Sequence, residues 1–203
     1  MFIKKNYLSI NKIKIKHGFF TRLNGLSRNN FNSLNCSISN GDNKQLVLKN
    51  RSIAMKNLHL ENKKLVLIKQ THSSKVIMIN KNNLNKNLEA DGMITSLNDV
   101  TLGILTADCA PIFMFDNSNK FVCSLHSGWR GTLNNISKKA IMLFEKYDIN
   151  RNNLSAIVGP CLGFNNYEVE KDFEKKFINK NIKYSQYFKR KNNIKSYFNI
   201  RGL

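Results

Sequence analysis

Residues 121–131 read FVCSLHSGWRG, from Phe121 to Gly131. The aromatic and β-branched opening, Phe121–Leu125, reads as a strand that ends at His126. Gly128 and Gly131 bracket a Trp-Arg pair and mark a turn. Beyond it, Leu133, Ile136, Ala140, Ile141 and Phe144 recur at helical spacing, which predicts a helix from about Thr132 to Tyr147. The stretch also concentrates scarce side chains: one of four histidines, the only tryptophan and one of seven arginines, in a chain of 26 lysines and 32 asparagines.

Working outward, Thr101–Thr106 and Ile112–Phe115 read as strands around Ala107-Asp108-Cys109-Ala110-Pro111, and Ser155–Val158 as another before Gly159-Pro160-Cys161. Leu65–Lys69 and Lys75–Ile79 read as short strands around the polar turn Gln70-Thr71-His72-Ser73-Ser74. Asp42, with Gln45 three residues on, is placed to cap a helix that runs to about Leu58, with Leu46, Ile53 and Met55 on its apolar face. Glu168–Phe177 reads as a further helix. No repeat, linker or long charge block divides the 203 residues. The expectation is a single α+β domain over residues 1–203, with mixed β-sheets and flanking helices.

Composition narrows the function classes. Hydrophobic content of 41% suits a globular fold. No apolar run is long enough for a membrane helix, and MFIKKNYLSINKIKIK lacks the apolar core and cleavage site of a secretory signal. A cytoplasmic protein with reduced thiols at Cys36, Cys109, Cys123 and Cys161 is therefore expected. The net charge of +20 would suit a nucleic-acid partner. The lysines are dispersed, however, and Lys, Asn, Ile and Phe together are the signature of AT-rich coding. They read as solvated surface, with neither nucleic acid nor membrane as partner.

His72, Cys109 and His126 each fall at the end of a predicted strand, where rigid scaffolds present chemistry. One thiolate and two imidazoles would suit a catalytic zinc, which takes three protein ligands and keeps one position open. Taken as types and spacing alone, the same residues also read as a turn histidine, a buried thiol and a hydrogen-bonded core histidine. Cys109 and His126 would equally suit a nucleophile and base, as in cysteine hydrolases. Asp108 is placed to orient a neighbouring group. Arg130, before a predicted helix start, suits an anion.

The sequence resembles the YfiH-like family, also called the multicopper polyphenol oxidase or laccase-domain family and the peptidoglycan editing factor family. His17–Arg22 with Asn24-Gly25-Leu26-Ser27 resembles its HGFFTR…GGVS opening. Asn50-Arg51, Lys69–Val76, Ala90–Thr95, Leu105–Pro111, His126–Gly131 and Val158–Gly163 with Tyr167-Glu168-Val169 resemble its further motifs, in order, over about residues 17–170. The resemblance implies zinc ligands His72, Cys109 and His126. It also implies phosphorolysis of purine nucleosides such as adenosine, inosine and methylthioadenosine, with adenosine deamination as a side activity. Arg130 and Asp108 are the catalytic candidates, and Arg130, Arg51 and Arg22 the phosphate candidates. One Cys and four His are too few for a multicopper cluster. Family members continue for several tens of residues past the segment matching Tyr197–Leu203, so the chain is expected to be short at its C-terminus.

Overall fold

The computed structural model describes residues 2–4, 7–10 and 13–203, which group into two compact units. The first unit opens with β1 (Phe2–Lys4), β2 (Tyr7–Ser9), β3 (Phe19–Phe20), α1 (Lys44–Asn57) and β4 (Lys64–Val66). The chain then enters the second unit for β5 (Val76–Met78) and β6 (Gly92–Thr95), and returns to the first for β7 (Val100–Leu102). From β8 (Ala110–Asp116) onward it stays in the second unit. There it forms β9 (Val122–Ser127), α2 (Trp129–Leu133), α3 (Ile136–Glu145), β10 (Leu154–Val158), β11 (Glu168–Glu170), α4 (Lys171–Ile178), β12 (Phe188–Arg190) and β13 (Lys195–Phe198). The class is α+β, with several sheets, of which the five-stranded one is mixed, and few helices.

In the first unit β1, β2 and β3 form an antiparallel sheet, while β4 pairs with β7 in parallel. The cap of α1 is Asn43, whose side chain accepts from the backbone N–H groups of Gln45 and Leu46. Asp42, expected in that place, instead accepts from Ser27 Oγ at 2.6 Å and Asn35 Nδ2 at 2.8 Å. Val47, Asn50 and Met55 are the buried residues of α1. Asn50 accepts from Leu26 N and donates to Ser27 Oγ and to the carbonyls of Ser33 and Asn35, which fixes the preceding loop.

The second unit is built on a five-stranded sheet in the order β10-β8-β9-β6-β5. All its pairings are antiparallel except β5 with β6. The β8–β9 hairpin is closed by buried Asp116, which accepts from Ser118 N at 2.9 Å and Phe121 N at 2.6 Å. Ile136, Ala140 and Phe144, spaced by four along α3, are fully buried against Ile94, Met114, Cys123 and Leu125 of the sheet. A second, antiparallel sheet, β11-β13-β12, packs with α4 around Val169, Phe177, Phe198 and Ile200.

Two expectations are corrected. The helix predicted over residues 132–147 starts earlier, at Trp129, and is broken into α2 and α3 at Asn135, whose φ of 55° is left-handed. The helix predicted from Glu168 begins at Lys171, because Glu168–Glu170 pair with Lys195–Tyr197 as a strand.

Candidate metal centre

Sheet register explains how three distant residues meet. His126 is the next-to-last residue of β9 and lies opposite Pro111 of β8. Cys109 immediately precedes β8, so it occupies the same edge of the sheet. On the other flank β6 pairs with β9 at Gly92↔Leu125, and His126 N donates to Asp91 O at 2.7 Å, one step further along. His72 sits in the loop ahead of β5 with a left-handed φ of 56°. One ring nitrogen of each histidine and Cys109 Sγ lie within 4.8 Å of one another.

Asp91 organises this arrangement. Its side chain is completely buried and accepts from both backbone and side-chain donors. Oδ1 takes His126 Nδ1 at 2.7 Å and His72 N at 3.0 Å. Oδ2 takes Ser73 N at 2.6 Å, Ser73 Oγ at 2.7 Å and Thr71 N at 3.2 Å. A single carboxylate therefore orients one imidazole and holds the backbone that carries the other. Burial pushes the Asp91 carboxyl up, but the hydrogen bonds from His126, Ser73 and Thr71 outweigh it and hold the group below its ordinary range. Burial pushes the His126 imidazole down despite the pull of Asp91, so the ring is favoured neutral. A neutral ring with Nδ1 committed to a carboxylate presents Nε2 as a metal donor.

The donor set fits a single ion of the thiolate- and imidazole-binding kind. The surrounding backbone fits it too. A Cβ added at Gly128 would meet His72 Cδ2 at 3.0 Å and Cys109 Sγ at 3.1 Å, so the absence of a side chain there keeps the three donors close. From α3, Lys139 Nζ donates to Ser74 Oγ at 2.5 Å and braces the His72 loop. A shallow cavity of about 500 Å³ opens beside that loop, lined by Ser73, Ser74, Lys75, Val76, Lys139, Met142 and Leu143, and none of the three donors lines it.

The Cys109 thiol is pushed up, first by burial and then by the charges of Asp108, Asp91 and Cys161. Reactive cysteines have depressed values, so this thiol is a poor nucleophile until a cation sits beside it. Asp108 is exposed and its carbonyl accepts from Leu162 N at 2.8 Å. The orienting carboxylate on His126 is Asp91, where sequence reading had set Asp108 in such a role. The signal was present: Asp91 is the one charged residue in Ala90–Thr95, a stretch buried throughout. Tyr167, half-buried beneath Phe173 and Phe198, is a second residue with no role assigned from sequence. Burial and the charges of Cys109 and Asp108 push its hydroxyl up to about 12.

Arg130 is the second residue of α2 rather than a residue before a helix start. Its exposed guanidinium lies 5.0 Å from the centre of the Trp129 ring, which Lys176 also approaches at 5.4 Å. Arg22 and Arg51 belong to the first unit. The Arg22 carbonyl accepts from Ser33 N and Leu34 N, and Arg51 Nε donates to Cys36 O at 2.9 Å.

Residues 16–203 match the family model described as multi-copper polyphenol oxidoreductase laccase. A purine nucleoside phosphorylase of Staphylococcus saprophyticus is 29% identical over 198 residues, which cover 92% of this chain and 74% of that protein. A purine nucleoside phosphorylase of Bacteroides thetaiotaomicron is 28% identical over 172 residues, which cover 80% of this chain and 64% of that protein, just under two thirds of its length. The crystal structure of a Neisseria meningitidis protein superposes with a TM-score of 0.87 at 23% identity, covering 98% of this chain and 80% of that one.

Proposed function

We propose that this chain, which belongs to the multi-copper polyphenol oxidoreductase laccase family, is a zinc-dependent purine nucleoside phosphorylase. It would convert adenosine, inosine or methylthioadenosine and phosphate to free base and a ribose 1-phosphate, with adenosine deamination as a side activity. The observation that carries the reading is the convergence of His72, Cys109 and His126 within 4.8 Å, with Asp91 on the far nitrogen of His126. Relatives at 28–29% identity that bear the phosphorylase name supply the reaction.

A zinc ion held by the three donors would supply an open position that polarises a substrate oxygen or lowers the pKa of a water. The protein's own side chains do the rest. Phosphate attacks the anomeric carbon through an oxocarbenium-like transition state, so catalysis is chiefly positioning and charge stabilisation. Arg130 is the phosphate candidate of the second unit, and stacking on Trp129 restricts where its guanidinium can reach. Asp108, exposed next to Cys109, is the candidate for moving a proton at the substrate. Arg22 and Arg51 remain phosphate candidates through their motif positions. No helix among the described residues is long and apolar enough to cross a membrane. The reading takes a cytoplasmic enzyme with no nucleic-acid partner, its dispersed lysines being solvated surface.

The test combines elemental analysis of the purified chain with phosphate-dependent adenine release from adenosine, on wild type and on His126→Ala. About one zinc per chain, with release lost in the variant, is the expected result. Another metal at that stoichiometry, or release that does not depend on phosphate, would overturn it.

A further inference from the structure

We propose that Cys109 and Cys161 are a disulfide-forming pair whose oxidation removes the thiolate donor from the metal centre, an inference that rests on the metal reading only for its consequence. The β8–β10 ladder runs antiparallel with Val158 opposite Ile112. Past the end of the regular ladder two more backbone bonds join the segments, Gly159 N to Pro111 O and Leu162 N to Asp108 O, both at 2.8 Å. Residues 108–111 and 159–162 are thus held side by side by a backbone bond at each end. Within that bracket Cys161 falls opposite Cys109. In a regular antiparallel pair opposed residues have Cα atoms about 4.5–5.5 Å apart, and the two bracketing bonds keep these segments near that spacing. That separation lies inside the range a disulfide spans.

Access separates this pair from the other thiol of the same unit. Cys109 and Cys161 are half-buried and reachable by a small oxidant, whereas Cys123 is sealed in the core against Met114 and Ile136. The oxidant class is a peroxide. The Cys109 sulfur attacks one peroxide oxygen, the O–O bond breaks, and a sulfenic acid and one water result. The Cys161 sulfur then attacks the sulfenic sulfur, the S–O bond breaks, and a second water leaves. Two thiols and one hydrogen peroxide become one disulfide and two waters. A dithiol reductant reverses the change. The two histidines alone make a weaker site than the complete triad, so oxidation and loss of the ion go together.

The experiment treats the purified full chain with hydrogen peroxide, alkylates the remaining thiols and maps the peptides by mass spectrometry. A chromogenic chelator follows released metal in parallel. A Cys109–Cys161 linked peptide should appear in step with metal release, and dithiothreitol with added zinc should restore both. Cys161→Ser should bind metal before treatment, then carry Cys109 to sulfinic and sulfonic acids with no recovery of binding. A folded, metal-loaded chain in which the two cysteines stay separate would overturn the proposal. So would linkage of Cys109 to another cysteine, or full recovery of Cys161→Ser. A linked peptide formed in a chain that carries no metal before treatment would uphold the pair and remove the metal reading instead.

Discussion

His126 and His72 offer the same imidazole to the same centre from opposite kinds of structure. His126 stands on β9, a central strand, with 3% of its surface exposed and Nδ1 on a buried carboxylate. His72 is exposed, on a loop with left-handed backbone, its main chain held by Asp91 and its ring edge-on to that of His126 at 4.8 Å. The difference assigns separate work to the two candidate ligands. His126 belongs to the fold as much as to the site, whereas His72 belongs to the site. Asp91 spans both, since one oxygen of its carboxylate receives the His126 ring and the His72 backbone together.

Removing that carboxylate therefore has the largest expected effect. Asp91→Ala leaves the donors of Thr71, His72, Ser73 and His126 without their acceptor, and each such polar group that stays buried costs about 1–3 kcal/mol. Urea unfolding of the metal-free protein should show this loss, with metal affinity down about 10–100-fold through the freed imidazole and loop. A fall no larger than that of an exposed substitution would mean that Asp91 does not join the two halves of the comparison.

His126→Ala comes next, because it removes one of several groups on Asp91. A cost of about 1–3 kcal/mol in the metal-free protein is expected, the penalty for a buried polar group losing its partner. The pH dependence sharpens the point. The His126 pKa is lowered in the fold from its ordinary 6.5, with burial as the chief cause. Its contribution is therefore fully present above 6.5 and is lost as pH falls from there through the lowered value. The lowered Asp91 contributes in the same direction, but in the carboxylate range below. His126→Ala should flatten the upper part of the stability–pH curve and leave the carboxylate part. An unchanged slope below 6.5 would show that His126 is not held neutral by burial.

What the sequence made legible follows the same division. The strand at 121–126, the strand at 112–115 and the apolar face of α3 were readable because their patterns are local and periodic. The candidate donors stood out because His and Cys are scarce here and their motifs are dense. Pairings across long separations were not. Glu168–Glu170 become a strand only because Lys195–Phe198 comes alongside, and β4 finds its parallel partner in β7 across two strands of the other unit. The break at Asn135 overrode an unbroken apolar repeat, and the adjacent pair Asn134-Asn135 was the local signal, since Asn tolerates left-handed backbone. The same tolerance accounts for Asn24 at φ 63°. Asp91 was quoted in a motif but had no role, because its function lies in six hydrogen bonds, from residues 71–73 and from His126, that only the folded chain creates.

The smallest effect on the fold is expected at His72, and the substitution must respect its backbone. Alanine would be strained at φ 56°, which would add a cost unrelated to the imidazole. Asparagine adopts that region readily and lacks the ring, so His72→Asn isolates the ligand. The backbone N–H still donates to Asp91, and the exposed side chain has no core to disturb. Unfolding free energy of the metal-free protein should change by no more than about 0.5 kcal/mol, as for other exposed positions. Metal content should nonetheless fall to background in dialysed protein, matching His126→Ala. Equal loss of metal with unequal loss of stability is what separates a loop ligand from a strand ligand. If His72→Asn unfolds the protein as readily as His126→Ala, the His72 loop is part of the framework and the two ligands are of one kind.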